Sequence, residues 1–199
     1  TTLFRSGIGD TYAKNYEAEI SSRGEKLPHY TEVGVGFSKM CLTPMLEYGR
    51  QALEDNKKGV ATEALEQVVL AIVVTTAIVS IFLTRDFTPD YNSGLAHACF
   101  YALTAYPVIE KEHLHGEVVG FGVLYALLVD GQQEEFEKIY ALNKELGLPV
   151  RIADIGITEE QFFETMDRIP QMSDIRHYPY AVTKEMLMQA YETIEQLPV

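Results

Sequence analysis

A run of sixteen residues, 68–83, carries no ionisable side chain, and any fold of this chain must find a place for it. With Thr75, Thr76 and Ser80 inside it, the run falls short of the roughly 20 apolar residues that a bilayer demands. Its β-branched side chains would suit a strand if the segment stood alone. Length decides otherwise, because strands beyond about ten residues are uncommon. The run is also continuous with residues 61–70, where Thr62 stands as an N-cap ahead of Glu63-Ala64-Leu65-Glu66. The expectation is a long helix buried on most sides at the centre of an all-α domain, with no membrane as partner.

Hydrophobic spacing supplies the other elements. Tyr12, Ala13, Tyr16 and Ile20 recur at three- and four-residue steps, predicting a helix over 11–23 that Gly24 and Pro28 stop. A second helix begins near Glu32 or after Pro44 and runs through Met45, Leu46, Tyr48, Ala52 and Leu53 to the turn Asn56-Lys57-Lys58-Gly59. Residues 85–94 are a loop by composition, with Asn92 or Ser93 placed to cap a helix carrying His97 that ends before Pro107. A helix over 116–128, closed by Asp130-Gly131, and amphipathic helices over 134–146, 158–168 and 183–197 complete a bundle of seven to nine helices. No repeat or low-complexity linker divides the chain, so residues 1–199 read as one helical domain.

Charge removes one class of partner. Sixteen basic against 29 acidic residues leave a formal charge of −13, the wrong sign for a phosphate backbone, so nucleic acid is excluded. Cys41 and Cys99 form no Cys-x-x-Cys pair and cannot make a disulfide framework. The start, Thr1-Thr2-Leu3-Phe4-Arg5, has neither a basic nor an apolar leader region. A reducing, cytoplasmic setting is the expectation.

The chemistry-bearing feature is a pair of histidines eighteen positions apart, His97 and His115. Neutral imidazoles are common ligands for zinc and iron, and two of them with one carboxylate leave a coordination position open. Asp10, at the end of Ser6-Gly7-Ile8-Gly9-Asp10, is the available carboxylate. Taken singly, each has a duller role: Asp10 as an N-cap, His97 as a core histidine, His115 as a loop residue. His113, two positions from His115, cannot share a helical face with it, and His29 and His177 sit in loop-like, proline-adjacent contexts; none of the three is given a role.

Three stretches in one order carry a resemblance: Gly7-Ile8-Gly9-Asp10 with Ala13 and Glu17; Gly94-Leu95-Ala96-His97-Ala98 with Leu103-Thr104; and His115-Gly116-Glu117 with Gly120-Phe121-Gly122 and Leu124. Leu146-Gly147-Leu148-Pro149-Val150, with Ala153 and Ile155-Gly156, extends it. Together they resemble the C-terminal, metal-binding half of the glycerol dehydrogenases and their hydroxycarboxylate-oxidising relatives in the iron-type alcohol dehydrogenase superfamily. The resemblance implies an all-α multi-helix bundle and a divalent metal, Zn or Fe, held by Asp10, His97 and His115. It also implies a small alcohol or hydroxy-acid substrate, and NAD bound by an N-terminal nucleotide-binding half.

Nothing here supplies that half: Gly7-Ile8-Gly9, Gly34-Val35-Gly36 and Gly120-Phe121-Gly122 lack the third glycine and downstream acid of a dinucleotide fingerprint. The chain therefore reads as half an enzyme, inactive by itself and suited to a homo-oligomer. The alternative is a non-catalytic scaffold or oligomerisation domain descended from such an enzyme. Asp10 is expected in the first turn of its helix, His97 one turn inside its own, and Glu112, Glu117 or a backbone carbonyl behind the imidazoles. Two departures from the family stand out. Its His-Ala-Val-His-Asn-Gly becomes His97-Ala98-Cys99-Phe100-Tyr101-Ala102, losing the second histidine. Its glycine-rich approach is replaced by Phe82, Arg85, Asp86, Phe87, Pro89 and Tyr91, which would reshape or fill the cleft.

Overall fold

A computed structural model of the chain describes residues 1–84 and 91–198. Among these residues every regular element is helical and no strand occurs. In order they are α1 (Thr2–Ser22), α2 (His29–Lys58), α3 (Glu63–Leu70), α4 (Thr76–Leu83), α5 (Leu95–Leu103), α6 (Pro107–Glu112), α7 (His115–Val129), α8 (Gln133–Leu146), α9 (Glu159–Arg168) and α10 (Lys184–Glu195). A π-helical turn, Ala71–Thr75, joins α3 to α4 without a break. The two therefore form one rod.

Thr62, Thr158 and Thr183 cap α3, α9 and α10, each hydroxyl accepting the N–H three residues on, as their sequence contexts predict. Gly59 and Gly147 close α2 and α8 in the left-handed conformation. The nearly all-apolar α7 is buried along almost its whole length. Phe121, Tyr125 and Phe162 stack edgewise around it, with centroids 5.1–6.0 Å apart, and α1, α5, α8 and α10 pack against it.

Three expectations change. α1 begins at Thr2, nine residues before the predicted start, because Gly7 and Gly9 lie within the helix at its crossings with neighbours. α2 takes the earlier of its two expected starts, beginning at His29 close to Glu32, and keeps Pro44 inside it. The apolar rod 63–83 is not buried at the centre. It is 21 residues long, and only 17% of its most apolar window is buried. By length and composition alone it could cross a membrane, since the helix extends past the sixteen uncharged residues at its N-terminal end. One side does pack: Ile72 lies against Gly7, Thr76 bonds to Thr11, and Val79 and Leu83 form a small cluster with Ala18 and Cys41. The rest of the rod faces outward.

The third change concerns the N-terminus of α5. Neither Asn92 nor Ser93 caps it; Gly94 is the N-cap residue, and the Ser93 hydroxyl donates to Asp174 at 2.9 Å. Arg85, Asp86, Phe87 and Pro89, expected to reshape the cleft, lie outside the described residues.

Candidate metal centre

The centre depends on how closely three helices approach. A Cβ added at Gly9 of α1 would lie 2.2 Å from the Gly116 carbonyl oxygen of α7, and one at Gly116 would lie 2.0 Å from the Ser6 carbonyl oxygen. No side chain fits either place. Farther along α7, a Cβ at Gly122 would meet the Ala96 carbonyl oxygen at 2.6 Å. The backbones of α1, α7 and α5 thus touch where glycine permits it, next to Asp10, His115 and His97 respectively.

Asp10, His97 and His115 are brought together. Asp10 Oδ1 lies 3.5 Å from His97 Nε2 and 3.6 Å from His115 Nε2, and one ligand atom from each lies within 4.8 Å of the others. Among the described residues this is the one group of three or more His, Cys, Asp or Glu side chains close enough to share an ion. For donors each about 2 Å from a common cation, separations of this size are the natural ones. Asp10 Oδ1 is itself buried and accepts no hydrogen bond. A buried carboxylate oxygen without a donor is costly to leave so, and a cation would satisfy it. The residues fit a divalent metal.

Two placements differ from expectation: Asp10 sits mid-helix in α1, and His97 in the first turn of α5. His115 opens α7, with 43% of its side chain exposed. His29 instead opens α2 and His177 pairs with Glu25 at 2.8 Å. His113 lines a separate cavity of about 410 Å³ with Arg5, Tyr140 and Lys144.

The sequence placed Glu17 among the residues that carry the resemblance but gave it no role. This fully buried carboxylate, two turns along α1 from Asp10, receives the Nδ1 side of His97 on Oε2 at 2.6 Å. On Oε1 it accepts the N–H groups of Gly94 and His97 at 2.8 and 2.9 Å. One side chain thus caps α5 and fixes its imidazole, with the Leu95 N–H taken by the Tyr178 hydroxyl at 3.0 Å. Of the expected partners, Glu117 does other work: it accepts from Arg5 and from the Leu114 N–H. Only the i, i+7 spacing of Asp10 and Glu17 signalled that the two carboxylates share a face of α1.

Electrostatics follow this geometry. Burial alone would push the Asp10 carboxyl up, but His115, His97 and the Lys14 ammonium outweigh it and hold the group well below the usual carboxylate range. Burial alone would likewise lower the His97 pKa; the Glu17 charge, then Asp10, reverse that and raise it to about 9. Phe100, where the family's second histidine would fall, packs edge-on against His115 with centroids 4.4 Å apart. Tyr101 lies 6.3 Å from the His97 ring and is half exposed. An aromatic rim therefore borders the exposed side of the cluster.

No protein-family model matches the sequence. Individual proteins do. The chain is 30% identical to the glycerol dehydrogenase of Pseudomonas putida over 98% of its own length and 53% of that protein's. It is 31% identical to the glycerol dehydrogenase of Escherichia coli O6:H1 over 79% of this chain and 42% of that protein. The homologues of this chain are glycerol dehydrogenases. Hydroxycarboxylate dehydrogenase A of Escherichia coli K12 is a further relative, 28% identical over 96% of the chain.

The chain spans about half the length of these curated relatives, consistent with the C-terminal domain of a glycerol dehydrogenase. The helical fold is shared with a probable glycerol dehydrogenase from Sinorhizobium meliloti, at TM-score 0.80 and 20% identity over 99% of this chain and 57% of that one. It is shared also with the glycerol dehydrogenase of Schizosaccharomyces pombe, at TM-score 0.78 and 22% identity over 96% and 49%.

Proposed function

We propose that this chain is the metal-binding, substrate-side domain of an NAD-dependent alcohol or polyol dehydrogenase. In this reading Asp10, His97 and His115 hold one divalent cation, zinc or iron, and a small alcohol or hydroxy acid enters from the exposed side. The observation that carries it is the buried Asp10 Oδ1, which accepts no hydrogen bond and lies 3.5 and 3.6 Å from two imidazole nitrogens. A cation held there supplies Lewis-acid polarisation of a substrate hydroxyl, easing loss of its proton before hydride transfer.

The chain's own residues do the rest. Glu17 fixes the His97 ring so that Nε2 faces Asp10. The exposed face of His115 leaves the approach open, and Phe100 and Tyr101 shape its rim with apolar surface. The relatives' additional length supports assigning NAD to a part outside these 199 residues, since the Gly-x-Gly pairs here lack a dinucleotide fingerprint.

Metal analysis of the purified chain tests the reading. The expected result is close to one zinc or iron per chain, abolished in His97→Ala. A chain that takes up neither ion while keeping its fold would refute it. Calorimetric titration with NAD is expected to show no binding by these residues alone.

A further inference from the structure

We propose that the hollow of about 410 Å³ bordered by Arg5, Lys144 and Arg151 is a second ligand site, one that takes a small molecule through its carboxylate or phosphate group. The proposal is independent of the metal reading. Such a volume suits a small molecule, and none of Asp10, His97 and His115 lines the hollow. Arg5 and Asp10 are five residues apart, about 140° round α1, and His115 and Glu117 are two apart, about 160° round α7 at 3.6 residues per turn. The hollow therefore opens on the other side of the α1–α7 crossing from the metal centre.

Charge selects the occupant. With 29 acidic residues against 16 basic, carboxylates are plentiful in this chain, yet three of its cations converge on one hollow and two of them have no acid partner. Lys144 Nζ stands 5.9 Å over the Tyr140 ring, and the Arg151 guanidinium donates to the Leu197 carbonyl oxygen. Among the described residues neither side chain pairs with a carboxylate. The two acids in the lining are already engaged. Glu117 accepts from Arg5 Nε at 2.9 Å and from the Leu114 N–H, and Asp154 accepts the N–H groups of Val150 and Arg151, each at 2.9 Å.

Nor are the cations needed to close α8, since the N–H groups of Gly147 and Leu148 already bond to the carbonyls of Lys144 and Asn143. The Glu117 bond holds the Arg5 guanidinium in one orientation, and its two Nη groups donate to no acceptor among the described residues. Guanidinium is a planar fork matched to two oxygens of one carboxylate or phosphate. Leu148 and Pro149 supply an apolar wall for the body of the ligand.

The test is NMR titration of the ¹⁵N-labelled 199-residue chain with inorganic phosphate and, separately, with acetate, each against sodium chloride at equal ionic strength. The expected result is a saturable shift of amides in the 147–154 turn that chloride does not reproduce. Saturation by phosphate assigns the site to phosphate-bearing ligands, and saturation by acetate alone assigns it to carboxylates. Lys144→Gln and Arg151→Gln should each weaken binding by about 10-fold or more, because each removes a charge-assisted bond, with circular dichroism unchanged. His97→Ala should leave the titration as it is, which separates this site from the metal centre. The proposal is overturned if neither anion gives a saturable shift up to tens of millimolar, or if chloride gives the same shift. It is overturned equally if both glutamine variants bind like the parent, or if the shifts centre on Asp10 and His115.

Discussion

Replacing Glu17 by glutamine separates the two tasks of that carboxylate and reports on His97 without relying on turnover. Oε1 accepts two backbone N–H groups, from Gly94 and His97, whereas Oε2 meets only Nδ1 of the ring. In Glu17→Gln the amide oxygen goes where two donors converge, because the reverse placement would set an NH₂ group against both N–H groups. The NH₂ then faces Nδ1, which must accept, and the ring proton moves to Nε2. That is the nitrogen 3.5 Å from Asp10 Oδ1, so it can no longer ligate.

Disturbing the partner of a ligating histidine costs typically 10–100-fold in metal affinity, or about 1.4–2.7 kcal/mol. A full inversion of the tautomer should fall at the upper end. The α5 cap is retained, so metal-free thermal stability should suffer less than in Glu17→Ala, which loses the cap at about 0.5–2 kcal/mol and strands a buried imidazole. Zinc titration by calorimetry, with ¹⁵N shifts of the His97 ring in the loaded protein, checks both halves. A Glu17→Gln variant that binds zinc with unchanged affinity, its Nε2 still the metal-facing nitrogen, would refute the reasoning.

Other outcomes follow from the same contacts. Gly116→Ala places a methyl where only 2.0 Å separates it from the Ser6 carbonyl oxygen; overpacking of this kind costs about 1–3 kcal/mol or more, read in urea unfolding, and should weaken metal binding by parting Asp10 from His115. Burial would raise the Asp130 carboxyl, but Arg23, Tyr180 and Gln132 outweigh it and hold it below its ordinary 3.8. A depressed carboxylate contributes stability above its unfolded pKa and loses it as pH falls through the lower folded value. Unfolding free energy should therefore fall more steeply below pH 3.8 in the parent than in Asp130→Asn, measured by denaturant titration across that range. Thr158→Ala removes the hydroxyl that accepts the Gln161 N–H and should cost about 0.5–2 kcal/mol by the same method, with metal affinity unchanged.

What could be read from the residues was whatever local chemistry dictates. Threonines ahead of acidic first turns capped helices at 62, 158 and 183, and the family order of Asp10, His97 and His115 marked three side chains that the fold brings together. The misreadings share one cause: they concern what a residue meets across the chain. Gly7 and Gly9 fell outside the helix predicted over 11–23, and glycine weakens an isolated helix. They are helical because α7 crowds Gly9 so closely that no side chain would fit, and Ile72 closes over Gly7; the packing gained offsets the propensity lost.

The role of Glu17 was hidden for the same reason, since the three groups it bonds, on Gly94 and His97, are 77 to 80 residues away. The rod 63–83 failed most instructively. Apolar composition argues for burial, yet burial needs a neighbour on every side, and α1 and α2 cover only one. Composition specifies that such a face must be covered. Whether the cover is this chain's own core or another surface is decided by geometry, and here the core is already filled by α7.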